Sequence, residues 1–164
     1  MAVERYENYK DSGVEWIGEI PAGWNQVRVG TSFYLKGRIG WQGLKAEEFT
    51  EDGPYLVTGT DFEKGCVNWS SCYHISQDRF DEAPEIHVQD GDLLITKDGT
   101  IGKLALVKKA PKFVSLNSHL LLVRALNNAN SNRFLYWVFS SGEFDCYVKL
   151  AQSGTIMASL SFTR

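Results

Sequence analysis

The chain has 164 residues, with 43% hydrophobic and 23% charged residues, three cysteines and a formal net charge of -3. That length and balance suit one globular domain large enough to bury a core without metal or disulfide help. No run approaches 18 apolar residues, which excludes a spanning helix. The isoelectric point near 5.6 argues against a protein that coats nucleic acid through charge alone.

Residues 1–24 read as an extended lead-in broken at Asp11-Ser12-Gly13 and again at Pro21 and Gly23. Its apolar members, Val14, Trp16, Ile17, Ile20 and Trp24, are expected to pin it onto the domain surface. The opening segment lacks the apolar core of a signal peptide, so a cytoplasmic location is expected. Residues 25–35 alternate around Val27 and Val29 and predict a first short strand, or a strand passing into a short helix. The stretch 36–45, KGRIGWQGLK, has Gly37, Gly40 and Gly43 at three-residue spacing. It lacks the GxGxxG fingerprint and its βαβ frame. Glycines there permit close backbone approach to a partner, with Arg38, Trp41 and Gln42 available to touch it. Trp41 could equally be tucked inward, and Arg38 could pair with an acid from residues 47–52.

Glu47 to Asp52 is acidic and leads to a turn at Gly53-Pro54. Tyr55 to Thr58 is a compact β run closed by Gly59-Thr60-Asp61-Phe62, and residues 66–73 suggest its paired strand. Residues 91–103, GDLLITKDGTIGK, predict a strand over Leu93-Leu94-Ile95, a tight turn at Lys97-Asp98-Gly99-Thr100 and a returning strand through Val107. Lys108 to Pro111 is a basic turn. Residues 113–116 and 120–123 are strand candidates, the second all-apolar and expected at the centre of a sheet. The polar loop 127–132 can cap a helix, which Phe134, Leu135, Val138 and Phe139 predict through their 3.6-residue spacing. A second amphipathic segment is expected over 144–150, and residues 156–162 begin a further element. Many short strands followed by late helices predict an α+β domain spanning 1–164, with a mixed or antiparallel twisted sheet.

Charge is unevenly placed. Residues 25–45 carry Arg28, Lys36, Arg38 and Lys45 without an acid, and residues 93–142 carry five lysines and two arginines against Asp98 alone. A basic face is therefore possible. There is no Walker loop, HExxH, CxxC or GxSxG, and no D-x-K or E-x-K triplet on one strand. His74, His87 and His119 are far apart, and Cys66, Cys72 and Cys146 match no zinc spacing. The chain is expected to be non-catalytic and to hold no metal.

The order of short blocks resembles a target-recognition domain of the DNA specificity subunit of type I restriction-modification systems. The blocks are Tyr9-Lys10-Asp11-Ser12-Gly13 with Glu15-Trp16-Ile17-Gly18-Glu19-Ile20-Pro21 and Trp24, Gly37 to Leu44, Gly59-Thr60-Asp61-Phe62 with Gly65, Gly91-Asp92-Leu93-Leu94 with Asp98 to Lys103, Leu116-Asn117-Ser118, and Ser153-Gly154-Thr155. The resemblance implies a domain that reads one half of a split duplex DNA site, followed in full-length subunits by a spacer helix, which here would be missing or just beginning. It implies partner modification and restriction subunits, to which S-adenosylmethionine, ATP and magnesium would belong. A recognition domain of a type II enzyme would share every block, and a protein-binding fragment is the plainer alternative. The isolated chain is expected to be monomeric. On this reading, Arg38 could grip guanine and Gln42 adenine, with Trp41, Thr58, Thr60, Lys97, Asp98, Thr100, Asn117 and His119 as further base-reading candidates. Lys36, Lys45, Lys103, Lys108, Lys109 and Lys112 are the phosphate-contact candidates.

Overall fold

The computed structural model describes residues 6–14, 17–39 and 43–142. The elements predicted over 144–150 and 156–162, and the block at Ser153, lie outside the described residues. The lead-in is a small antiparallel hairpin, β1 (Tyr9–Asp11) with β2 (Glu19–Pro21), rather than an irregular segment. Trp24 then stands edge-on to Phe134 with ring centroids 5.2 Å apart.

Next come α1 (Val29–Ser32) and β3 (Phe33–Lys36), so helix precedes strand, the reverse of the order expected over 25–35. β4 (Phe49–Val57) is longer than the expected YLVT run. It absorbs the acidic stretch and the Gly53-Pro54 turn as a bulge, with both Thr50 and Tyr55 opposite His74. Gly53 is required there: its φ is +119°, and a Cβ would lie 2.6 Å from the Ile75 carbonyl oxygen. The partner of β4 is β7 (Tyr73–Ile75), whereas β5 (Phe62–Glu63) and β6 (Cys66–Val67) form a separate hairpin. α2 (Gln77–Asp81) starts at Ser76, whose hydroxyl caps the Arg79 amide.

The predicted hairpin is present as β8 (Leu93–Thr96) and β9 (Leu104–Leu106), paired antiparallel. β10 (Val114–Leu116) runs parallel to β4, and β11 (Leu120–Ala125) lies between β3 and β8. Two sheets result, one of order β10-β4-β7 and one of order β3-β11-β8-β9-β6-β5. α3 (Asn132–Phe139) ends the described chain, capped by the Ser131 hydroxyl on the Phe134 amide.

The layering explains why β8 and β11 are apolar at successive positions. Leu94, Leu120 and Leu122 point into a core shared with Val57, Val114 and Leu116 of the smaller sheet. Leu93, Ile95, Leu121 and Val123 point the other way, against Leu135 of α3. On the outer face of the smaller sheet, Leu56 and Ile75 pack on Phe80 of α2. Strands covered on both faces lose the alternation of a half-exposed sheet and read as continuous hydrophobic runs. The order of layers is α2, three-stranded sheet, six-stranded sheet, α3.

Candidate nucleic-acid interface

β4 and β10 are parallel and in register at Val57 and Leu116, so the loops that follow them leave at the same end. Thr96 of β8 pairs with Leu120 of β11, which brings the turn 97–103 beside the turn 117–119. Backbone bonds join these segments: Asn117 N donates to Val57 O at 2.9 Å, and Lys97 N donates to His119 O at 3.0 Å. The Lys103 ammonium reaches the Gly59 carbonyl at 3.2 Å. Segments distant in sequence therefore form one edge carrying Thr58, Thr60, Lys97, Asp98, Thr100, Lys103, Asn117 and His119. Lys36 ends β3 at this edge too, two strands from β8 across β11.

Buried polar groups hold the loops in place. Asp61 is only 2% exposed. Its carboxylate accepts from Thr58 N at 2.7 Å, Thr58 Oγ1 at 2.9 Å and Ser71 Oγ at 3.1 Å. With both oxygens engaged, it closes the Gly59-Thr60 turn from beneath, and the Thr58 and Thr60 hydroxyls bond each other at 2.7 Å. Thr96 does the same for the adjoining turn. Its buried hydroxyl donates to the Thr100 carbonyl and accepts from Lys103 N at 2.9 Å. Gly99 and Gly102 have φ of +68° and +84°, a left-handed region in which a side chain is strained. Sequence reasoning singles out neither Asp61 nor Thr96. The available signal was a short polar residue at the start or end of a loop, able to bond backbone two to four residues away.

Glycine 37 serves this edge by closeness. A Cβ there would sit 3.1 Å from the Leu120 carbonyl oxygen and 3.4 Å from Lys97 Nζ, so the chain passes directly beneath the lysine. His119 Nδ1 lies 2.5 Å from Asp98 Oδ1, and the His119 amide donates to Asn117 Oδ1 at 3.1 Å. The Asn117 side-chain oxygen is thereby engaged in building the turn.

Other candidates are placed differently. Trp41 and Gln42 lie outside the described residues. Arg38 is 2% exposed and does not offer its fork to a base. Its Nε donates to Leu116 O at 2.8 Å and its Nη2 to Ser115 Oγ at 2.9 Å, bolting the segment after β3 to β10 in the other sheet. Burial, with the Arg79 guanidinium as the next contribution, holds the Arg38 pKa below its ordinary value. Glu48, one of the acids in 47–52, meets the Arg79 guanidinium at 2.9 Å. Lys45 is exposed at the turn that enters β4, its amide donating to Glu48 Oε2 at 2.8 Å.

Lys108, Lys109 and Lys112 belong to the opposite end of the sheet. β9 runs antiparallel to β8, so its exit meets the entry of β8: Val107 N donates to Asp92 O at 2.8 Å, and Ala110 N to Asp90 Oδ1 at 2.6 Å. That end is stabilised by Asp92, whose carboxylate accepts from Arg124 Nε and Nη2 at 2.7 Å each and from Gln89 N at 2.8 Å. The Gly91-Asp92 block is thus a structural joint. Among the described residues no group of three or more His, Cys, Asp or Glu side chains is placed to hold a metal, and Cys66 and Cys72 are free thiols.

This mixed α+β fold is shared with solved chains of type I restriction-modification systems. The chain superposes on a chain from a type I restriction-modification system studied for complex assembly and conformational transition, with a TM-score of 0.63 over 93% of this chain and 34% of that one. It superposes on the HsdS subunit of Thermoanaerobacter tengcongensis with a TM-score of 0.60, covering 84% of this chain and 31% of that one. The type I S subunit of M. genitalium gives 0.51 over 82% and 30%. Identity is 17% in all three, so the likeness is one of fold. In sequence, the chain is 27% identical over 122 residues to the specificity subunit of the Escherichia coli type I restriction enzyme EcoAI. That match covers 71% of this chain and 20% of the subunit. The chain spans about a third of the structures it resembles. No family model matches it.

Proposed function

We propose that this chain is a target-recognition domain that binds duplex DNA and reads one half of a bipartite site. On this reading it has no catalysis of its own and directs modification and restriction subunits in the cytoplasm. The observation that carries the proposal is the convergence of residues 58–60, 97–103 and 117–119 on one edge, joined by the Val57–Asn117 and Lys97–His119 backbone bonds, with Thr60, Thr100 and His119 exposed. Phosphate contacts position a protein on DNA, whereas base edges supply the sequence information. Lys36 and Lys103 suit the first task, and Thr60, Lys97, Thr100 and His119 suit the second. The similarity to specificity subunits in fold and sequence supports the same reading.

The test is selection from a duplex library randomised over a half-site, at fixed salt, followed by titration of the selected duplex. The expected result is one enriched motif and a modest salt dependence. Neutralising about two phosphates through Lys36 and Lys103 gives a log–log slope of about -1.8. Binding without any enriched motif, or a slope steeper than about -6, would show a general polyanion binder and end the proposal.

A further inference from the structure

Asp98 and His119 occupy different turns and meet at the loop edge, with Nδ1 2.5 Å from Oδ1. An ionised carboxylate offers only lone pairs, so in the neutral imidazole the ring proton must reside on Nδ1. Nε2 is then left as a bare acceptor. Both residues are held from the backbone. The His119 carbonyl accepts from Lys97 N at 3.0 Å and its amide donates to Asn117 Oδ1 at 3.1 Å, while Asp98 sits in a turn locked by Thr96 and by Gly99 at φ +68°. The exposure is asymmetric: the His119 side chain is 65% exposed and that of Asp98 35%. One nitrogen of the ring is therefore anchored, and much of the ring remains open to a partner.

We infer that the neutral His119 ring presents Nε2 as a hydrogen-bond acceptor set by Asp98, and that it selects a base presenting an amino group in the major groove. This rests on the DNA-reading function proposed above. Cytosine offers only its N4 amino donor there, guanine only the O6 and N7 acceptors, and adenine one of each. An acceptor at fixed height distinguishes cytosine from guanine most sharply, with adenine tolerated. Asp98 is then a positioning residue: it touches no base, and its role is to choose which ring nitrogen carries the proton.

Two measurements test this. The first needs no DNA: long-range nitrogen–proton correlation NMR on the ring-labelled protein at mildly alkaline pH, where imidazoles are ordinarily neutral. The expected spectrum shows His119 protonated at Nδ1, and Asp98→Asn shifts the ring toward the Nε2-protonated form, because an amide can donate to Nδ1. An Nε2-protonated His119 in the unsubstituted protein overturns the inference. The second is the half-site library, at the same pH, with the unsubstituted protein, Asp98→Asn and His119→Ala. The expected outcome is a position favouring cytosine or adenine over guanine, with the cytosine-to-guanine ratio falling roughly three- to tenfold in both variants, the effect of one hydrogen bond. An unchanged ratio at every position overturns the inference while leaving DNA reading intact. The absence of any preferred motif with the unsubstituted protein overturns both. Both substituted side chains are exposed or partly so, and a retained melting temperature confirms that the variants are folded.

Discussion

Arg38→Ala separates a base-reading arginine from a structural one. The guanidinium leaves behind the Leu116 carbonyl and the Ser115 hydroxyl, on residues that are 0% exposed. Each buried polar group orphaned in this way costs about 1–3 kcal/mol. Deleting the guanidinium also removes the burial cost that lowers its pKa, which offsets part of that loss. A net loss of about 3 kcal/mol is the expectation. For a domain of this size each kcal/mol is worth about 2–4 °C, so the melting temperature should fall by roughly 6–12 °C. Because the bonds join the segment after β3 to β10, the whole cooperative unit should feel the loss. Arg38→Lys should recover little, since an ammonium cannot present two donors in a planar fork. Thermal and urea denaturation give the stability term, and half-site selection well below the lowered midpoint gives the recognition term. Unchanged stability with relaxed choice at one base position would refute the structural assignment. Lowered stability with an unchanged motif is the outcome the packing predicts.

Asp92→Ala should cost about 3 kcal/mol in urea denaturation, because it strands the Arg124 guanidinium that now makes two bonds to the carboxylate; a loss below about 1 kcal/mol would contradict that role. Replacing Lys108 and Lys109 together with Glu should leave affinity for the selected duplex within about twofold, since surface charges beyond a Debye length are largely screened and these two leave from the opposite end of the sheet. A loss of a decade or more would place DNA at that end. Burial, then the neighbouring Asp61 carboxylate, pushes the Cys72 thiol up to about 12. Only the thiolate reacts, so at about pH 8 Cys72 should be alkylated far more slowly than half-exposed Cys66, as read by peptide mass spectrometry. The sign follows from the raised value: the buried thiol stays protonated as pH rises through the ordinary thiol range, whereas in the unfolded chain it ionises. Any Cys72 contribution to folding stability therefore diminishes above that range. Gly65→Ala should destabilise the β5–β6 hairpin, because φ is +75° and a Cβ would fall 2.1 Å from Tyr136 Oη; an unchanged melting temperature would contradict the close approach.

Local chemistry was legible without coordinates. The apolar runs at 93–95 and 120–123, the Asp-Gly turn between returning strands, and the helix with its 3.6-residue period are each set by neighbours a few residues away. The structure keeps all of them. The polar turns at 59–62, 97–100 and 117–119 were equally visible, and short polar residues between apolar strands mark exposed edges wherever they occur.

What depended on tertiary structure was everything decided by partners far along the chain. The parallel pairing of β10 with β4 spans some sixty positions, and it places Asn117 beside Val57. The same kind of long-range contact sends Arg38 inward, because Ser115 and Leu116 are 77 and 78 residues away and no local pattern announces them. It also splits the lysines, since the direction of β9 carries Lys103 to the loop edge and Lys108 to the opposite one. A charged residue in a glycine-rich segment has the same local signature whether its head faces DNA or a buried carbonyl. Only the strand that ends up beside it decides, since burying a guanidinium is tolerable just where fixed acceptors replace its water.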